Sequence, residues 1–185
     1  MIVNAGYRGK VGAAVPKFTY TGEYNERKDG VVELLTSGTL TFLAPAVIDR
    51  FMVGGGGAGG RYFGVVTPQC GGGGGGGYTR TDKKVSVDTT PIEIVIGAGG
   101  TFHNYDHAVL DGKPTFWGNV KVDGGIGVGT NQGTDPTPYS TGANGGSGGG
   151  GGVLSKSTGG IGGSDGGNGE DGTYPGGKGQ GTTTR

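Results

Sequence analysis

Along the first hundred residues, hydrophobic and polar positions alternate in short stretches with a period of two, and nowhere in the chain do they repeat over a useful length with a helical period. A period of two places successive side chains on opposite faces of a strand. Residues 18–24 (FTYTGEY) alternate roughly between aromatic residues and Thr. Residues 31–42 (VVELLTSGTLTF) hold two short strands around a Ser37-Gly38 turn signal. Residues 47–53 (VIDRFMV), 78–87 (YTRTDKKVSV) and 91–96 (PIEIVI) each read as a further strand. Short strands punctuated by turn signals predict an antiparallel sheet or sandwich. Residues 101–122 predict a hairpin, FHNYDHAVL and TFWGNVKV, turned at the intervening DGKP.

Glycine then changes the picture. The chain has 185 residues, of which 50 are Gly and only 31% hydrophobic, against an average glycine usage of about 7%. Six glycines lie in residues 1–53, fourteen in 54–77 and thirty in 97–185. Without a strict G-X-Y period and high Pro this is not collagen. Such a composition ordinarily means disorder, because few side chains offset the entropy of ordering. Disordered chains also carry few aromatics and a large net charge, whereas this one has 8 Tyr, 6 Phe and 1 Trp at a formal net charge of zero. The glycine runs are also joined directly to strands, in FMVGGGGAGG, EIVIGAGG and GGGGGGGYTRT. Interleaving of this kind implies that the runs return to a common place and pack together, rather than hanging as disordered loops on a β domain.

Chains without side chains can pack through their backbones. An extended helix of three residues per turn rises about 3.1 Å per residue and makes no internal hydrogen bonds. Every N–H and C=O must then find a partner on a neighbouring segment. In residues 159–172 (GGIGGSDGGNGEDG), Gly160, Gly163, Gly166, Gly169 and Gly172 recur at every third position, and Gly142, Gly145, Gly148 and Gly151 do the same. That spacing gives each helix an inward edge without a Cβ and turns Ile161, Ser164, Asp165, Asn168 and Glu170 outward. Gly71 to Gly77 can be buried on all sides. The expected fold class is mainly β, a small antiparallel β-sandwich-like base with interleaved polyglycine II helices packed as a bundle. The expected divisions are an N-terminal arm (1–17), a β base with interleaved glycine runs (18–100), a glycine-poor insert or hairpin (101–122) and a glycine-rich polyglycine II region (123–185).

Catalytic and cofactor chemistry finds little support. Gly55, Gly57 and Gly60 satisfy G-x-G-x-x-G, but trivially within a glycine run, and no helix follows to hold a pyrophosphate. GGKGQG (176–181) lacks the helix and the Ser or Thr of a phosphate loop. His103 and His107 have helical metal spacing, yet sit in a loop-like stretch without a strong third ligand, and solvated histidines are the expectation. Asp165, Asn168 and Asp171 lack the spacing of a calcium loop. Cys70 has no nearby base and reads as a small buried thiol. No nucleophile, base and orienting group assemble, so the expectation is a non-enzyme with no metal or cofactor. Zero net charge and the lack of repeated Arg-Gly-Gly elements argue against nucleic acid, and no apolar run of about 18 residues argues for membrane insertion. Residues 1–18 lack the apolar core of a signal peptide, so export is expected within a larger particle.

The stretches FTYTGEY, LLTSGTLTF, DRFMVGGGGAGG, GGGGGGGYTRT, PIEIVIGAGG and GKGQGTTTR, in this order, resemble the glycine-rich domain proteins encoded in tail modules of phages and prophages of Gram-positive bacteria. The resemblance spans residues 18–185. It implies a β-sandwich-like base carrying polyglycine II rods, in a non-enzymatic structural protein of the virion tail or fibre that contributes to host-surface adhesion. The implied partners are other virion tail proteins, copies of the chain itself, and a host cell-surface glycan or protein. The implied location is the virion tail, extracellular after release. Similar rods occur in tail-fibre adhesins of T-even-like phages, and similar strand-to-glycine joins in the ectodomain of anaplastic lymphoma kinase-type receptors; both are analogies of fold. Two features depart from the family: the glycine-poor stretch 101–122, and GQGTTTR, which relatives follow with more chain. The latter leaves the last region either truncated or completed by a neighbouring subunit. The alternative function is a glycine-rich surface-binding module outside any virion, meeting a polysaccharide or ice. Phe102, Tyr105, Phe116, Trp117, Tyr139 and Tyr174 are the candidate recognition residues, because exposed aromatics anchor sugars and protein partners. For the first four the competing role is the small core of the hairpin.

Overall fold

The computed structural model describes residues 2–4, 15–27, 30–62, 71–101, 110–128, 130–131, 142–151 and 162. These hold twelve strands and no helix. The chain forms two compact units and crosses between them five times, after Val53, Thr79, Ile96, Pro114 and Val122.

The first unit comprises Met1–Val53, Arg80–Ile96 and Thr115–Val122. Its strands are β1 (Ile2–Asn4), β2 (Phe18–Tyr20), β3 (Tyr24–Glu26), β4 (Val31–Leu34), β5 (Gly38–Phe42), β6 (Ala46–Val53), most of β8 (Thr79–Val87), β9 (Ile92–Val95), β10 (Thr115–Trp117) and β11 (Val120–Val122). They make two antiparallel five-stranded sheets, ordered β3-β4-β1-β6-β8 and β11-β10-β9-β5-β2. Alternation buries one face of the central strands: Val32 and Leu34 on β4, Leu40 and Phe42 on β5, Ile48 and Met52 on β6, and Ile94 on β9. Phe18, Leu40 and Phe42 of one sheet and Val32, Leu34 and Ile48 of the other line one apolar void of only about 10 Å³. That is room for no more than about one water molecule, so this part of the core is filled.

The Ser37-Gly38 signal does not make a hairpin, because β4 and β5 belong to different sheets. The connecting residues are instead bonded across the chain. Thr36 Oγ1 accepts the Glu23 N–H at 2.8 Å, and Ser37 Oγ accepts the Ile96 N–H at 2.9 Å. The Tyr20 hydroxyl donates to the Thr36 carbonyl. A Cβ on Gly38 would stand 2.6 Å from the backbone nitrogen of Gly22, so this crossing requires glycine.

The predicted DGKP turn is also corrected. The hairpin is β10–β11, with Trp117 opposite Val120 and Gly118-Asn119 as its two-residue loop. Gly118 has φ +52°, as the first central position of a type II′ turn demands. Asp111 to Pro114 belong instead to the second unit. Residues 102–109 lie outside the described residues.

The second unit comprises Gly54–Thr79, Gly97–Pro114 and Asp123–Arg185. Apart from the short parallel pair β7 (Arg61–Tyr62) and β12 (Thr130–Asn131), its described segments carry no strand beyond the first residue of β8, Thr79. They run as extended glycine-rich stretches at residues 54–60, 71–78, 97–101, 110–114, 123–128 and 142–151. Gly30 and Gly118 are the glycines with positive φ among the described residues, and both lie in the first unit.

Candidate functional site

The glycine-rich unit is held by backbone hydrogen bonds between segments, and their partners repeat every third residue. The N–H groups of Gly54, Gly57 and Gly60 donate to the carbonyls of Tyr78, Gly75 and Gly72 at 2.8–2.9 Å. Those of Gly55 and Ala58 donate to Lys113 and Leu110. The carbonyls of the same two residues accept from Gly125 and Val128. Residues 71–78 behave alike: Gly75 and Tyr78 donate to Ile126 and Asp123, while Gly73 and Gly76 donate to Gly150 and Ser147. A conformation that returns each residue type to the same neighbour after three residues satisfies the backbone without side chains.

Burial follows the same period. In residues 54–60, Gly55 and Ala58 are buried and Gly56 and Gly59 exposed; in 123–128, Gly125 and Val128 are buried and Asp123 and Ile126 exposed. Segments approach too closely for a side chain at the inward positions. A Cβ on Gly57 would stand within 3.0 Å of the Ile126 carbonyl, and one on Gly112 within 3.0 Å of the Gly55 carbonyl. Asp111 closes one gap with its side chain, Oδ1 accepting the Gly127 N–H at 2.7 Å. Gly142, Gly145, Gly148 and Gly151 are all buried. Residues 143–146 pair parallel to 73–76, while 147–150 pair antiparallel to them, with a bend at Gly146-Ser147 and the Gly149 N–H folded back to the Ala143 carbonyl. One expectation is corrected. Of Gly71 to Gly77, only Gly72 and Gly75 are buried and the rest are half-buried.

The first unit carries an aromatic edge that sequence reasoning treated as strand alone. Phe18 and Tyr24 meet edge to face with centroids 5.1 Å apart, and Tyr20 lies 6.3 Å from Tyr24. Beside them is an open groove of about 300 Å³ lined by Lys17, Phe18, Tyr24, Glu26 and Leu43, with Val15 and Pro16. Tyr24 is 43% exposed. Burial pushes the Tyr20 hydroxyl above the ordinary tyrosine value. The signal that could have found this edge was the clustering of three aromatics in FTYTGEY, with charged residues on either side.

A second polar feature is buried. Arg50, 5% exposed, donates from Nε and Nη2 to Asp82 Oδ2 at 3.1 and 2.5 Å, while Arg80 Nε reaches Asp82 Oδ1 at 2.9 Å. Partial burial alone would raise the Asp82 carboxyl. The hydrogen bonds and positive charges of Arg50 and Arg80 outweigh it and hold the group below the usual carboxylate range. The Arg50 guanidinium also lies 5.2 Å from the centroid of the Trp117 ring.

Of the candidate recognition residues, Phe116 and Trp117 lie on β10, half-buried and 5% exposed respectively. Phe102, Tyr105, Tyr139 and Tyr174 fall outside the described residues, as do Gly160, Gly163, Gly166, Gly169 and Gly172, His103, His107, Cys70, Asp165, Asn168 and Asp171. Among the described residues no three His, Cys, Asp or Glu side chains gather to hold a metal ion, and no helix is long and apolar enough to cross a membrane. Residues 35–185 match the family described as a glycine-rich domain. No curated protein and no solved structure matches the chain.

Proposed function

We propose that this chain, a member of the glycine-rich domain family, is a non-enzymatic structural protein of a phage virion, placed in the tail, that assembles with other tail proteins and with copies of itself and contributes to host-surface adhesion. In this reading the two antiparallel sheets pack as a sandwich base and the glycine-rich segments are polyglycine II rods. The observation that carries the rods is the three-residue period of inter-segment hydrogen bonds around residues 54–60 and 71–78. The sandwich is supported by the void lined from both sheets and by the Thr115 hydroxyl on β10, which donates to the Val53 carbonyl on β6 at 2.6 Å. The tail assignment rests on the order of strand and glycine motifs. A bundle tied by backbone is a stiff display element, because each opening breaks several bonds worth about 0.5–1.5 kcal/mol each.

Two measurements test it. Amide exchange should be slow at Gly57, Gly75 and Gly125, residues with no side chain to shield them; fast exchange there would remove the rods. An antibody against the protein should label the tails of particles purified from a producing culture. Recovery of the protein only in the particle-free fraction would overturn the virion assignment.

A second reading is favoured by the groove beside Tyr24. An exposed ring flanked by Lys17 and Glu26 suits a sugar, whose flat face stacks on the ring while its hydroxyls meet the charges. A Tyr24→Ala variant that retains polysaccharide binding would exclude this groove as the site.

A further inference from the structure

The groove beside Tyr24 says more about a ligand than that one aromatic ring is exposed. Its lining brings three kinds of group onto one surface: the rings of Phe18 and Tyr24, the aliphatic side chains of Val15, Pro16 and Leu43, and one charge of each sign, Lys17 and Glu26. Its volume of about 300 Å³ stands at the lower end of small-molecule sites, about 300–1,000 Å³, and suits a short saccharide.

Local structure holds these groups in place. Phe18 and Tyr24 stand on strands, opposite Phe42 and Leu34. The Leu43 N–H donates to the Lys17 carbonyl at 2.9 Å and ties the two sides of the groove together. The turn between β2 and β3 is fixed as well: Thr36 Oγ1 accepts the Glu23 N–H, and Thr21 Oγ1 accepts the Thr39 N–H, both at 2.8 Å. The Phe18 and Tyr20 rings meet Tyr24 at interplanar angles of 66° and 73°, so neither stacks flat on it. Leu43, 57% exposed, gives little to the core and its side to the groove. A site built this way orders little more when a ligand enters, which favours binding.

The charges narrow the ligand. A polysaccharide with a carboxylate on every unit would set like charge against Glu26, and one with an ammonium on every unit would set it against Lys17. A neutral glycan avoids both. Hydroxyl groups alone, however, leave Val15, Pro16 and Leu43 without an apolar partner. An acetamido group matches all three parts of the lining. Its N–H donates to a carboxylate, its carbonyl accepts from an ammonium, and its methyl covers an aliphatic wall, while the sugar ring stacks on tyrosine. We infer that the groove is specific for an N-acetylated amino sugar within a neutral glycan. This rests on the sugar reading of the groove given above.

The experiment separates the two. Chitotriose and cellotriose share backbone and linkage and differ in the acetamido group that replaces one hydroxyl on each unit. Calorimetric titration of the full chain should show chitotriose binding about tenfold or more tighter than cellotriose, the lower end for a small apolar group received by a pocket. That comparison needs no variant. Leu43→Ser, at an exposed position, should lower chitotriose affinity towards that of cellotriose and leave cellotriose unchanged. Equal affinities, or tighter cellotriose, would overturn the acetamido inference while leaving the groove a sugar site if Tyr24→Ala abolishes both. A preference that survives Leu43→Ser and Tyr24→Ala would overturn its assignment to this groove. Binding of neither saccharide would overturn the sugar reading itself, and this inference with it.

Discussion

Leu34 in the first unit and Gly57 in the second are both positions where nothing else fits, for opposite reasons. Leu34, 1% exposed, fills a space between strands. Gly57 leaves no space, so that two backbones can approach within hydrogen-bonding distance. The first unit gains stability by removing side chains from water, at about 25 cal/mol per Å² of apolar surface. The second has few side chains to remove and depends on satisfying donors and acceptors at every third residue. Order therefore does not require a greasy core, provided that the spacing of glycine matches the period of the backbone.

The sharpest way to break this comparison is to put a branched side chain on each kind of glycine. Gly57→Val forces a Cβ into the Ile126 carbonyl and should cost about 4 kcal/mol or more, the range reserved for severe backbone or packing conflicts. Gly56→Val, one residue away, places its Cβ no nearer than 3.8 Å, an ordinary contact with the Gly75 carbonyl oxygen, and should change stability by about 0.5 kcal/mol. Denaturant midpoints of the two variants, read at low concentration, check this. Equal tolerance would mean that the close approach is not what holds the segments.

Next in size is Leu34→Ala. Truncating a fully buried leucine leaves a cavity and should cost about 3 kcal/mol. Its signature should differ from that of Gly57→Val: amide protection should fall first in β4 and β6, not in residues 54–60. If both variants lower protection uniformly, the two units unfold as one and their different construction has no separate thermodynamic expression.

A smaller effect sharpens the electrostatics of the first unit. Asp82 is held below its ordinary pKa by Arg50 and Arg80, so the unfolded chain binds the proton more tightly than the folded one. The stabilisation is present above the unfolded value, about 3.9, and is lost as pH falls through the lower folded value. Asp82→Asn should cost about 1.5 kcal/mol at neutral pH, the low end for a hydrogen bond to a charged group because the carboxylate keeps some contact with water. The gap between variant and wild type should narrow below about pH 4. A gap that stays constant to pH 2.5 would show that the carboxylate charge is not the source.

Much of this division was legible in the sequence. Residues 78–87 and 91–96 declared themselves by alternation, residues 47–53 read as a further strand, and their direct joins to glycine pointed to interleaving. β1 was not legible: Ile2–Asn4 is three residues without a pattern, and it becomes a strand only because β4 and β6 pair with it on both sides. The hairpin turn was misplaced because Asp-Gly is a stronger local turn signal than Gly-Asn. Asp111 and Gly112 are used instead to bond Gly127 and Gly125, and local propensity does not encode that. The aromatic groove was missed because Phe18, Tyr20 and Tyr24 satisfy a strand reading equally well. Which glycines of 54–60 are exposed was not legible, since Gly56 and Gly59 look identical in sequence to the buried Gly55.

The smallest effect lies at Lys84, the non-glycine residue with positive φ (56°) among the described residues. It sits on β8, an outermost strand of its sheet, and its N–H donates to Asp49 Oδ1 at 2.9 Å. A left-handed residue there twists the edge and interrupts the ladder, which discourages pairing with another sheet. The conformation costs a lysine about 1–2 kcal/mol. Glycine would remove that strain, but it adds unfolded-chain freedom worth about 0.4–1 kcal/mol, leaving a small gain. Asparagine tolerates the left-handed region without glycine's full entropy, so Lys84→Asn should stabilise by about 0.5 kcal/mol and exceed Lys84→Gly. Lys84→Val should destabilise, because a branched Cβ suits that region worst. Melting temperatures of the three variants rank them. A rise for valine would mean that the bend at position 84 is not held in solution, and that the protection of this edge comes from its charges alone.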